Sequence, residues 1–266
     1  MIRDITIGQY YPAKSVIHRL DPRVKIICTL LFLVSLFIQR SIPGYIAATV
    51  FLAVIIGMSQ VPLKFILKGL KPIIMLLLIT VLFTLFFTKE GRELFHFWIF
   101  RVTDKGLETM IYTAIRLIYL IMGSSIMTFA TTPNSLTDGI ESVLHPLNKI
   151  KVPVHEVAMM MSIALRFIPI LLEETDKIMK AQIARGADLD TGNIIQRAKA
   201  MIPILVPLFV SAFRRANDLA MAMEARCYHG GEGRTKMKPL AYKSRDYLAY
   251  AISGVYLVLV FFVGRL

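Results

Sequence analysis

The sequence predicts an all-α integral membrane protein: about five transmembrane helices joined to a helical cytoplasmic domain built on two long helices. Three observations carry this. The 266 residues are 56% hydrophobic with a mean hydropathy of +0.61, outside the range of an ordinary soluble domain. Five apolar runs approach the roughly 20 residues that a helix needs to cross a hydrocarbon core about 30 Å thick. Between the fourth and fifth, two long helical patterns end in similar tripeptides, Ala184-Arg185-Gly186 and Ala225-Arg226-Cys227.

The N-terminal stretch to Lys25 is polar and turn-rich, with five basic residues against two acidic ones. Those charges precede any apolar run, so no cleavable signal is expected. The stretch begins with Gly8, Tyr10 and Pro12 and reaches Asp21-Pro22, a helix start with Asp21 as N-cap and Pro22 in the first turn. Arg23 and Lys25 are expected at the lipid headgroups, stems along apolar surface and charges toward water. The runs Val24–Gln39, Pro43–Met58, Pro72–Thr88, Leu107–Ala130 and Tyr247–Val263 are then read as spans.

Loop charges set the topology. The loop 59–71 carries Lys64, Lys68 and Lys71 with no acid and belongs inside. The loop 89–105 is almost balanced and holds Trp98, so it belongs outside, with Leu94–Phe100 along the membrane surface. The N-terminus is then cytoplasmic and the C-terminus extracellular, leaving Arg265 as a lone exterior charge. The chain divides into 1–130, a cytoplasmic domain 131–246, and a last span 247–266. The same rule accounts for the net charge of +13, and no basic patch is interleaved with stacking aromatics, so nucleic acid is not an expected partner. Ionisable residues are nearly absent from the interiors of these spans, and Arg116 is the exception. It either reaches an interface or a partner inside the protein, or marks a solute path.

Residues 131–246 hold 16 lysines and arginines against 12 acids, too many charges for lipid. Thr131 to Ser135 is a break with cap residues, from which a short amphipathic helix runs toward Asn148. Pro153 opens a second helix whose stripe is Val157, Met161, Ala164, Ile168 and Leu172, reaching Arg185 with a kink possible at Pro169. A third follows Gly192-Asn193, passes Pro203 and Pro207 with the stripe Leu205, Leu208, Ala212, Ala216, Leu219 and Met223, and ends at Arg226. At an offset of 41 residues Ala181 matches Ala222, Ala184 matches Ala225 and Arg185 matches Arg226. Small residues beside each arginine let another surface approach while the guanidinium makes forked hydrogen bonds, the chemistry of a docking tip. Gly186 is a natural left-handed helix stop, and Arg185 is a cation suited to the helix C-terminus.

No phosphate-binding loop, zinc-protease helix or nucleophile elbow occurs. His96, His145, His155 and His229 are scattered, no metal site is expected, and Cys28 and Cys227 read as free thiols. A membrane-integral transferase would need clustered acids, for which Asp176, Asp188 and Asp190 are the nearest candidates; a scaffold without ATP coupling is a third reading.

Over nearly its whole length the sequence resembles the transmembrane T component of energy-coupling factor transporters, a branch of ATP-binding-cassette importers. The resemblance rests on Gly8-Gln9-Tyr10 through His18-Arg19-Leu20-Asp21-Pro22-Arg23-Val24-Lys25, on Leu165-Arg166-Phe167-Ile168-Pro169 with Ala181-Gln182-Ile183-Ala184-Arg185-Gly186, and on Ala220 to Tyr228. It implies a non-catalytic subunit of the bacterial cell membrane for vitamin or micronutrient uptake, set between two cytoplasmic ATPases and a substrate-binding membrane subunit. ATP and magnesium are then bound by the ATPases, with no cofactor in this chain. It also implies that the two helices cross, that Arg185 enters one ATPase and Arg226 the other, and that Pro169, Ala181, Ala222 and Glu224 support the coupling helices. The departure is Cys227 where the family motif has glycine, which makes a left-handed backbone less expected there and Gly230 the candidate stop.

Overall fold

In a computed structural model the described residues are 10–39, 41–88, 93–97, 100–187, 193–231, 237 and 239–263, with backbone alone for 93–97, 100–102 and Ile194. The expectations for Gly8, Trp98, Asp188, Asp190, Gly192 and Arg265 concern residues outside this set. The described helices are α1 (Pro22–Ile38), α2 (Ile42–Ser59), α3 (Leu63–Leu70), α4 (Ile74–Phe87), α5 (Asp104–Ala130), α6 (Pro133–Leu144), α7 (Val154–Ala184), α8 (Ile194–Glu224) and α9 (Ser244–Val263). An antiparallel hairpin, β1 (Glu93–Phe97) and β2 (Phe100–Thr103), is the β-structure among the described residues. It replaces the surface-lying segment expected at Leu94–Phe100. The loop expected at 59–71 likewise contains α3, which a 3-10 turn at Lys71–Ile73 joins to α4.

Among the described residues six helical stretches are long and apolar enough to cross a membrane: α2, α3 through α4, α5, α7, α8 and α9. Four coincide with expected spans. The fifth expected span, α1, has 17 residues, just short of that length. Helices α7 and α8 qualify because their charges are unevenly placed; in α7 most lie beyond Leu172.

The chain forms two compact units, one of Gly8–Ile140 with Leu240–Leu266 and one containing Glu141–Pro239. In the first, α1 and α2 pack on α5 and α9, and α3 and α4 pack on α5. The core includes Phe32, Leu36, Ala48, Leu52, Ile126, Phe129, Tyr256 and Val260. Phe51 stacks on Tyr256 at 4.1 Å between ring centroids, and the Tyr256 hydroxyl is 2.9 Å from Ser35 Oγ, which satisfies its polar end inside the core. At Gly123 the approach of α5 to α1 leaves no room for a side chain, since a Cβ would stand 2.7 Å from Phe32 Cε1. Outward-facing apolar residues such as Phe37, Met75 and Phe87 are exposed, as lipid contact requires.

One end of this unit is a polar knot. Asp21 caps α1 through the Arg23 N–H at 2.9 Å and pairs with the Arg23 guanidinium, which lies 3.9 Å over the Tyr242 ring. Buried Asp246 accepts from the N–H groups of Asp21 and Lys243. Lys25, expected to reach water, is instead buried and donates to the carbonyls of His18 and Ala130 at 3.0 and 2.8 Å. It closes the C-terminus of α5, where a cation is favoured. Arg116 does the same for α1, donating to the carbonyls of Leu36 and Gln39 and to the Tyr45 hydroxyl. The structure thus gives Arg116 satisfied partners inside the protein.

His18 anchors the N-terminal segment. Its Nε2 lies 2.9 Å from the Tyr11 carbonyl, so that nitrogen carries the proton, and Nδ1 lies 2.7 Å from Ser15 Oγ and accepts from it. Burial holds this imidazole below its ordinary value near 6.5, with the Lys25 charge acting in the same direction and the Tyr11 carbonyl opposing both. The unfolded chain therefore takes up the proton first as pH falls, and the neutral histidine's stabilisation is present above about pH 6.5 and lost below it. The thermal unfolding midpoint of the purified chain should fall between about pH 7.5 and 5.5, and His18→Gln should reduce that fall. An undiminished fall in the variant would remove His18 as its source.

Candidate docking tips

Helix α7 forms without interruption past Pro169. Its last backbone donors close a complete turn: the Gly186 N–H donates to the Ile183 carbonyl at 2.9 Å and the Ala187 N–H to the Gln182 carbonyl at 3.0 Å. Gly186 has φ +87°. These two bonds around a left-handed residue are the Schellman arrangement, which satisfies carbonyls that the helix leaves without partners.

Helix α8, containing Pro203 and Pro207, ends in the same way. The Cys227 N–H donates to the Glu224 carbonyl at 2.8 Å and the Tyr228 N–H to the Met223 carbonyl at 3.1 Å. Every donor and acceptor is displaced by 41 residues from its counterpart in α7. Cys227 itself takes φ +56°, so it is the stop, contrary to the expectation that its side chain would disfavour this backbone. Gly230 is also left-handed, at φ +104°, three residues further on. The two hydrogen bonds across Cys227 offset the roughly 1–2 kcal/mol that a left-handed residue with a Cβ costs.

The helix ends are open. Ala181, Ala184, Arg185 and Gly186 are exposed, as are Ala222, Glu224, Ala225, Arg226 and Cys227. Both arginines occupy the residue before the left-handed stop, flanked by residues too small to shield them. Because backbone groups alone close each turn, neither guanidinium is needed as a cap.

Between the tips, α7 and α8 pack on each other; the expected stripe of α8 is half-buried at Leu208, Ala212, Leu219 and Met223, whereas that of α7 is half-buried only in its second half, at Ile168 and Leu172. Val157 and Met161 are 47% and 52% exposed, whereas the half-buried positions of α7 include Leu171, Glu174, Ile178 and Gln182. Those of α8 include Leu208, Ser211, Arg215 and Leu219, with Ile204 buried. Ser211 donates to Glu174 Oε1 at 3.0 Å, and Arg215 pairs with Glu174 Oε2. Gln182 Nε2 lies 3.4 Å from the Pro203 carbonyl. Residues rising along α7 meet residues falling along α8, so the helices run in opposing senses. The stripes expected from sequence include neither Glu174 nor Arg215. Their spacing of 41, the same as that of the tip arginines, was the available signal.

Past the second tip, Gly231 lies against the His155 ring, whose Nδ1 is 2.9 Å from Glu141 Oε1. Pro169 is exposed on α7. Among the described residues no three histidine, cysteine or acidic side chains stand together to hold a metal ion.

The sequence model of the cobalt transport protein (CbiQ) family matches residues 13–237. The chain is 55% identical to the energy-coupling factor transporter transmembrane protein EcfT of Clostridium kluyveri, covering 100% of this chain and 98% of that one. It is 52% identical to the protein of the same name from Ruminiclostridium cellulolyticum, over 98% and 97% of the two chains. It is 47% identical to that of Bacillus subtilis, over 99% of each.

Hydrogen exchange at the two closing amides reads the tips directly. A Cβ at Gly186 meets nothing within 4 Å, so Gly186→Ala should cost about 1 kcal/mol through the backbone alone, raising exchange at the Ala187 amide about fivefold. Cys227→Gly should slow exchange at the Tyr228 amide by a comparable factor of about five. Exchange rates unchanged in both would mean that the left-handed residues do not limit these turns.

Proposed function

The chain belongs to the CbiQ family of cobalt transport proteins, and on that premise we propose that it is the scaffold and coupling subunit of an energy-coupling factor importer for a vitamin or micronutrient. It is a multi-pass membrane component of a transporter, as its family, the names of its full-length relatives and its six apolar helical stretches together support. Beyond that, two cytoplasmic ATPases bind and hydrolyse ATP with magnesium, and one docks at Arg185 and the other at Arg226. The chain itself catalyses nothing.

The observation that carries this reading is the identical closure of α7 and α8, each presenting an exposed arginine beside alanines. A repeated, outward-facing cation with a satisfied backbone suits a repeated partner offering carboxylates or carbonyls. ATP-driven closure of the ATPases moves the tips, and α7 and α8 convey the motion to a substrate-binding membrane subunit. An exposed apolar face on α8, Ile202, Val206, Phe209 and Phe213, supports contact with such an apolar partner. The N-terminus and residues 131–246 face the cytoplasm and the C-terminus the exterior, on the charge distribution of the loops.

Affinity purification of the full chain in mild detergent should return two nucleotide-binding subunits and one further small membrane protein. Arg185→Ala or Arg226→Ala should each weaken retention of the ATPases by about 2 kcal/mol or more, some thirtyfold. Parent-like assembly by both single variants would end the docking assignment, and co-purification without ATPases would favour a scaffold that is not coupled to ATP.

A further inference from the structure

The same 41-residue register that relates the two arginine tips also relates Glu174 to Arg215, and these two residues meet each other. Equivalent positions of two repeated helices touch only where the pseudo-symmetry relating the helices passes between them. Glu174 precedes Arg185 by 11 residues and Arg215 precedes Arg226 by 11, so each tip stands roughly 16 Å of helix from the pair. The helices run in opposing senses, so the two arms leave the pair in opposing directions.

The pair is held on more than one side. Glu174 offers one carboxylate oxygen to the Ser211 hydroxyl and the other to the Arg215 guanidinium. Both side chains keep partial exposure, 39% for Arg215 and 26% for Glu174, and partly exposed ion pairs add little to stability. What a forked, doubly accepted contact does supply is register: it fixes which turn of α7 meets which turn of α8.

We propose that Glu174 and Arg215, with Ser211, form the pivot that sets the spacing of the two docking tips, so that both arginines engage the pair of ATPases at once. They act as positioning residues and touch neither ATPase. This rests on the reading of the arginine ends as docking tips. Two linked sites bind a two-part partner far more tightly than either alone, and the gain is lost when their spacing no longer matches the partner.

The test has two readouts on the full-length chain. In the first, Cys28→Ser and Ala187→Cys leave one thiol beside each tip, at 187 and at the native Cys227, and spin labels there report the tip-to-tip distance without any ATPase. A single narrow distribution is expected for this background, a broad one when Glu174→Arg or Arg215→Glu is added, and a narrow one again when both are added. In the second, the ATPases recovered with the parent are titrated onto unlabelled chain in nanodiscs. Each single charge reversal should weaken their binding about tenfold or more, and the double reversal should restore it.

A distance distribution that stays narrow in the single variants overturns the pivot. Distances that broaden and recover while ATPase affinity stays at the parent value overturn its role in docking and leave Arg185 and Arg226 as tips. Failure of the double reversal to restore either readout shows that the losses come from something other than the pairing, which also overturns the proposal. A parent chain that binds no ATPase overturns the docking reading itself, and this proposal falls with it.

Discussion

The carbonyls at the end of every helix must find donors, and in lipid or a tight interface water does not supply them. Much of the polar chemistry in this chain answers that constraint, in two different ways. In the membrane unit the donors come from side chains of other elements: Arg116 of α5 closes α1, and Lys25 of α1 closes α5. The two helices cap each other, so neither can shift along its axis without exposing carbonyls. Helices α7 and α8 are closed by their own backbones through Gly186 and Cys227. Nothing from elsewhere is required at those ends, and the adjacent arginines remain available to another chain.

That difference explains which expectations held. Span boundaries were legible because local signals mark them. Asp21-Pro22 opens α1, and the break at Thr131 and Thr132 closes α5, each within a few residues of the reading. The arginine ends were legible because the same tripeptide pattern recurs at one spacing. Lys25 was misread because its sequence context, a basic residue near a span end, is the same whether the amine reaches water or a carbonyl 105 residues away. Only the packing of α1 on α5 decides it. Cys227 was misread because residue type predicts a left-handed backbone only weakly, whereas the hydrogen bonds across the turn determine it. The β hairpin and α3 fell in short segments where loop charge, rather than periodicity, guided the reading.

The first half of the expected stripe on α7, Val157, Met161 and Ala164, is a real apolar pattern that is left exposed, whereas most of the stripe on α8 is half-buried. Helical periodicity identifies a face that avoids water; it does not say whether a neighbouring helix, lipid or another subunit covers that face. Here the contact between the two helices uses Glu174, Ser211, Arg215 and Gln182 among its members, leaving Phe209 and Phe213 outward. These polar side chains share the seam with Leu171, Ile178, Ile204 and Leu208, and the exposed apolar residues beside it suit helices whose outer surfaces are to be covered by something apolar.

The meeting of Glu174 with Arg215 has a consequence for how such a chain can arise. In a contact between two identical copies, a residue on the axis meets itself, and there a charge faces its own kind. Two glutamates or two arginines at this place would repel. A homodimer of one helix cannot escape this, but two diverged copies within one polypeptide can, by placing opposite charges on the two sides of the axis. The covalent joining of α7 and α8 thus permits an attraction at their point of contact that strict self-association would forbid.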